Sequence, residues 1–159
     1  MNRPTKYIVV FDCVLLVQSL INQAGPPVRC LELFEERKIS LVFSKATLAE
    51  LRDVLSRSSL RTRFPQITDD LVDRLIQTLL YKGEVLRQVG RYFDYARDPK
   101  DEPYLNLAIE AAADFLVTRD NDLLDLMRWD LDDGREFQKR YHLLKIIDPV
   151  AFLKIVDEE

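Results

Sequence analysis

Carboxylates far apart along the chain, two of them placed where an apolar run stops, are the residues whose type and spacing could do chemistry. Asp12 ends the run Tyr7-Ile-Val-Val-Phe11, Asp120 follows Phe115-Leu-Val-Thr118, and Glu50 flanks a leucine stripe of Leu48, Leu51 and Leu55. Asp98, Asp101 and Glu102 fall within five residues of a proline-containing segment. That is more acid than one helix cap requires, although a single acid there would be explained by orphan amides and the helix dipole. Carboxylates gathered on one rim repel one another, and their natural neutraliser is a hard divalent cation, Mg²⁺ or Mn²⁺. Such ions take oxygen ligands, keep several waters and pair with phosphates.

These acids share a rim only if the elements carrying them converge. Five unbroken apolar residues before Asp12 read as a strand buried on both faces, and the C-terminal ends of central strands in an open parallel sheet face a crevice. Further strands are expected at 39–43, 84–89, 115–118 and 143–147, alternating with helices at 14–21, 28–37, 45–55, 68–82, 104–113, 136–141 and 151–156, with one helical turn at 123–127. Val28, Leu31 and Phe34 should face inward from the second of these helices. Asn22 to Pro27 is a break, Ser44 and Thr68 are N-caps, Gly83 is a stop, and a loop surrounds Gly134. The alternation predicts an α/β fold of three layers, α/β/α, with a central parallel sheet of about four to five strands in a single domain, 1–159. A helix that precedes a strand begins near that strand's carboxyl edge, so Asp101 and Glu102 fall on the rim that holds Asp12 and Asp120. A one-residue slip of the helix exchanges Asp101 and Glu102. On composition alone Glu50 reads as a solvated helix residue, near Arg57, Arg52 and Asp53.

At 159 residues, 47% hydrophobic and 31% charged, the chain is ordinary for a soluble globular domain. No segment is long enough to span a membrane, and Met1-Asn2-Arg3-Pro4 meets the first strand too soon for a signal peptide, so a cytoplasmic protein is expected. Cys13 and Cys30 lack the spacing of a disulfide framework or zinc site, and His142 has no partner at ligand spacing; the cysteines read as packed hydrophobes. A net charge of −4 with pI about 5.2 argues against coating nucleic acid by bulk charge. A local patch is still open to it: Arg57, Arg61 and Arg63, interleaved with hydroxyls and Phe64, could contact an RNA backbone, although such runs are more often solvated connections.

Val9-Val-Phe-Asp12, Ser44-x-x-x-Leu48-x-Glu50-Leu, Arg97-Asp-Pro-Lys-Asp-Glu102 with Leu105-x-Leu-Ala108, and Leu116-Val-Thr-Arg-Asp-Asn-Asp-Leu-Leu124 together resemble PIN domains. The closest likeness, including Ile147-Asp-Pro-Val-Ala-Phe-Leu153, is to the toxins of toxin–antitoxin pairs. The resemblance covers nearly the whole chain. It implies a Mg²⁺- or Mn²⁺-dependent endoribonuclease with catalytic acids Asp12, Glu50, Asp101 and Asp120, and with Asp12, Asp101, Asp120 and Asp122 around the metal. Glu102, Thr118 and Asp98 would be auxiliary. A homodimer restrained by a small antitoxin is the implied assembly, with RNA as substrate.

One departure is Val14, where many members of that family carry Asn two residues after the first acid, since valine cannot supply the amide's hydrogen bonds. A silent domain that binds RNA or a protein without cutting is therefore the alternative. Phosphatases of the haloacid type want a second Asp where Val14 stands, and phospho-acceptor domains want a Lys after a late strand, where Ile147 instead leads to Asp148.

Overall fold

The computed structural model describes residues 6–157; Met1-Asn2-Arg3-Pro4 lies outside them. Five strands form one sheet: β1 (Ile8–Phe11), β2 (Ser40–Ser44), β3 (Glu84–Leu86), β4 (Phe115–Val117) and β5 (Lys145–Ile147), in the order β3-β2-β1-β4-β5. Every pairing is parallel. The fold is therefore the expected α/β arrangement.

Between β1 and β2 lie α1 (Cys13–Ile21) and α2 (Pro26–Glu35). Between β2 and β3 come α3 (Lys45–Ser56), α4 (Ser58–Arg63) and α5 (Asp69–Lys82). The return across the sheet to β4 uses a 3-10 turn at Pro99–Asp101 and α6 (Glu102–Glu110). After β4 follow α7 (Asn121–Leu124), a 3-10 turn at Asp125–Met127 and α8 (Asp132–Arg140); α9 (Pro149–Asp157) closes the chain. Right-handed crossovers place helices on opposite faces when the direction of travel reverses, as it does after β3. Helix α6 accordingly packs on β1, β2 and β4 while α1 packs on α2 and α3, and α9 joins α2.

Residues at helix ends behave much as their chemistry dictates. Ser44 caps α3 through a reciprocal box with Thr47, and Thr68 caps α5 by accepting from the Leu71 amide. The two prolines at 26 and 27 open α2 from its first turn, where a missing N–H is harmless, so the break ends earlier than expected. The buried face of α2 is Pro27, Cys30, Leu33 and Phe34, rotated from the expected Val28–Leu31–Phe34 stripe. The basic stretch after α3 is helical, as α4. Gly134 lies inside α8 rather than in a loop, and a Cβ there would collide with the Arg128 carbonyl oxygen.

The core is continuous from Val9, Val10 and Phe11 through Leu41 and Phe43 to Leu116 and Val117, all nearly inaccessible. Edge-to-face pairs fasten α9 to the sheet, Phe152 meeting Phe11 at 6.2 Å and Phe115 at 5.6 Å between ring centroids. Cys13 and Cys30 are buried, unbridged thiols, each pushed up to about 12 by that burial, so both are inert packing residues.

Candidate metal centre

Strand register sets a row of residues along the carboxyl edge of the sheet. Ser44 pairs with Leu86, and Val117 pairs with both Phe11 and Ile147. Carried forward from Val9↔Leu41 and Phe11↔Val117, the register puts Asp12 level with Ser44 on one side and Thr118 on the other. The order reverses between β1 and β4, so Asp12 and Thr118 flank the switch point, where open α/β sheets hold ligands.

A single buried hydroxyl ties the two strand ends together. Thr118 Oγ1 donates to Asp12 Oδ2 at 2.8 Å and accepts from the Asp120 amide at 3.0 Å. The Asp12 amide donates to the Val117 carbonyl at 3.1 Å, and the Thr118 amide to that of Ile147 at 2.9 Å. Asp120 Oδ1 caps α7 by accepting from the Asp122 amide at 2.8 Å. Asp12 is only 8% exposed, and burial pushes its carboxyl above the ordinary range while the Thr118 hydroxyl opposes that shift.

The segment before α6 brings the remaining acids. Asp98 Oδ1 accepts from the Lys100 amide at 3.2 Å and so shapes the turn that delivers Asp101. Asp101 is 7% exposed, and its Oδ2 is fully buried with no hydrogen-bond partner. Burial, followed by its contact with Asp120, pushes the Asp101 carboxyl up to about 8. Carboxylate oxygens of Asp98, Asp101, Asp120 and Asp122 all lie within 4.8 Å of one another. Asp12 stands beside this group, joined to it through Thr118.

Asp101 and Glu102 are placed differently. Glu102 Oε1 accepts from the Tyr95 amide at 2.7 Å, which turns it from the carboxylate group to which Asp101 belongs. Glu50 is held by the Tyr104 phenol, which donates to its Oε2 at 2.7 Å, and Asp12 lies within its field. Arg57 pairs with Asp53 at 2.9 Å, Arg61 with Asp69, and Arg63 lies over the Phe64 ring at 5.3 Å. All three are thus engaged within the chain. Val14 is exposed at the start of α1.

Two residues with no role assigned from sequence shape this centre. Arg97 Nη2 contacts Asp122 Oδ1 at 2.7 Å and Asp125 Oδ2 at 2.8 Å, supplying one counter-charge at its margin. Tyr104 fixes Glu50. Arg97 lies in the proline-bracketed acidic motif and Tyr104 in the first turn of the next helix, but neither position declares its partner without the fold.

The donor set fits a hard cation. It is all carboxylate oxygen, four groups converge, one oxygen is buried without a donor, and one carboxyl is pushed up by burial and by the neighbouring Asp120. Arg97 reaches Asp122 but leaves that buried Asp101 oxygen unmet.

Residues 8–122 match the family model described as PIN domain. An uncharacterized protein of Methanocaldococcus jannaschii is 28% identical over 149 residues, 94% of this chain and 91% of that protein. With the parallel five-stranded sheet, the acids at its switch point and a family match over most of its length, the chain belongs to the PIN domain family.

Proposed function

We propose that this PIN domain is a metal-dependent endoribonuclease that hydrolyses RNA phosphodiester bonds in line, with water as the attacking group. The observation that carries the reading is the partnerless Oδ2 of Asp101 inside a group of four converging aspartates. Asp98, Asp101, Asp120 and Asp122 would hold Mg²⁺ or Mn²⁺. When bound, the cation supplies positive charge to the phosphate and eases deprotonation of water.

The chain's own groups do the rest. Thr118 fixes the face that Asp12 presents, and burial of Asp12 raises its affinity for a proton, which suits it to draw one from the attacking water. Tyr104 holds Glu50 beside Asp12, where it adds negative field and a second acceptor. Glu102 builds the loop through Tyr95. No covalent bond to the protein is required.

The likeness of the motifs to toxins supports a further reading, that the domain acts in the cytoplasm as the toxin of a toxin–antitoxin pair, dimeric and restrained by a small antitoxin. A short neighbouring reading frame whose product co-purifies with the domain would support it. Exposed Val14 favours a second reading, a silent module that binds RNA or protein. Cleavage of labelled structured and single-stranded RNA by wild type, Asp12→Asn and Asp101→Asn, with Mn²⁺ or with EDTA, separates these. The nuclease reading expects a loss of at least about a hundredfold in both variants and no cutting in EDTA. Metal-independent or mutation-insensitive cutting defeats it, and RNA binding with no cutting under any metal selects the module.

A further inference from the structure

The same rim carries a second feature, of opposite charge. A groove of about 290 Å³ lies where β2 and β3 end, lined by Ser44, Lys45 and Ala46 at the start of α3, Arg87 and Arg91 just past β3, and Asn106 on α6. It continues the row that holds the acids: Leu86 pairs with Ser44, and Ser44 is level with Asp12. Strand spacing puts the end of β3 roughly 10 Å from that of β1.

The groove presents unspent donors. Lys45 and Arg87 have no carboxylate partner among the described residues, which is equally true of Arg37, Arg52, Arg63, Arg74 and Arg119; what sets the two apart is that both line this groove. Arg91 has only Asp94, at 3.7 Å on an open surface. The capping box takes the amides of Ser44 and Thr47, and the Ala46 amide, in the first turn of α3, has no acceptor a turn earlier. Asn106 is 8% exposed; its Oδ1 accepts from the amides of Tyr92 at 2.8 Å and Phe93 at 3.1 Å. Two N–H donors fix that atom as oxygen, so the NH₂ is directed elsewhere, and it has no acceptor among the described residues.

We propose that this groove is the docking track for the sugar-phosphate backbone of single-stranded RNA on one side of the scissile bond, with Lys45 and Arg87 each neutralising a phosphate and the Asn106 NH₂ bonding a backbone oxygen. A cationic track beside a carboxylate cleft lets an anionic strand approach a site that would otherwise repel it. The inference rests on the nuclease reading and assigns its substrate subsite.

The test uses Asp12→Asn protein, so that a fluorescein-labelled oligouridine survives, and follows anisotropy across a salt series for that protein and for Lys45→Ala/Arg87→Ala in the same background. Lys154→Ala, on α9, serves as the remote control. Loss of two phosphate contacts is expected to weaken binding about tenfold or more and to flatten the slope of log K against log salt by about 1.4, with Lys45→Arg/Arg87→Lys close to the parent. In the otherwise intact protein the double alanine change should raise KM with kcat within about threefold. Unchanged affinity and slope in the Asp12→Asn background, with wild type cutting RNA, overturn the groove alone. Wild type that neither binds nor cuts RNA overturns the nuclease reading together with it.

Discussion

Thr118 is the smallest part on which the centre turns, since one hydroxyl both donates to Asp12 and accepts from the Asp120 amide. Valine has nearly the same shape, so Thr118→Val removes those bonds without opening a cavity. It leaves a buried carboxylate short of a donor and an amide short of an acceptor, which costs about 1–3 kcal/mol of stability. The Thr118 hydroxyl opposes the upward shift of Asp12, so its loss should move the acidic limb of the pH–rate profile to higher pH. Activity should fall about 10- to 100-fold, the usual effect of losing a group that orients a metal-site carboxylate, and Thr118→Ser should recover most of it. An unchanged pH profile in the valine variant would show that Thr118 does no more than pack.

Helix α8 sets local preference against close approach. Replacing an interior helical glycine by alanine ordinarily stabilises by about 0.5–1 kcal/mol. Here the added Cβ would collide with the Arg128 carbonyl oxygen and crowd the Asp125 carbonyl oxygen at 3.0 Å, both backbone atoms that cannot swing aside. Gly134→Ala is therefore expected to destabilise by about 1–3 kcal/mol, read as a lower midpoint in urea; a raised midpoint would refute that packing. Gly134 also shows why part of the fold was illegible in the sequence: a glycine among acids is punctuation until the carbonyl opposite it is known. Buried strands and capped helices were legible, because apolar runs and Ser44 or Thr68 carry their own local reasons. The places of Asp12 and Asp120 on the rim were legible because each follows a buried strand. Arg97 and Tyr104 were not, since their partners Asp122 and Glu50 are set by tertiary contact alone. Nor was the choice between Asp101 and Glu102, which depends on where the Pro99–Asp101 turn gives way to α6.

For the protein as a whole, the carboxylate centre makes folding, protonation and cation binding a single equilibrium. Asp101 titrates at about 8 when folded against an ordinary 3.8, so the folded chain holds a proton that the unfolded chain has released. The stability this contributes is complete below 3.8 and is lost as pH rises through about 8. Asp12 acts in the same direction. Glu36 and Asp130, held below their usual range by Lys38 and Arg128, act the opposite way, but only below their ordinary values of 4.5 and 3.8. Between those values and about 8 the metal-free protein should therefore lose stability with rising pH, and Asp101→Asn should be more stable than wild type at the upper end and much flatter across the window. Mn²⁺ must displace the Asp101 proton, so its affinity should fall up to tenfold for each pH unit below about 8. Thermal melts of wild type and Asp101→Asn across that window, with Mn²⁺ or with EDTA, read both effects. Stabilisation by Mn²⁺ should grow with pH in wild type and nearly vanish in the variant. Equal stabilisation of the two proteins at every pH would place the cation away from Asp101 and with it undo the assignment of the centre.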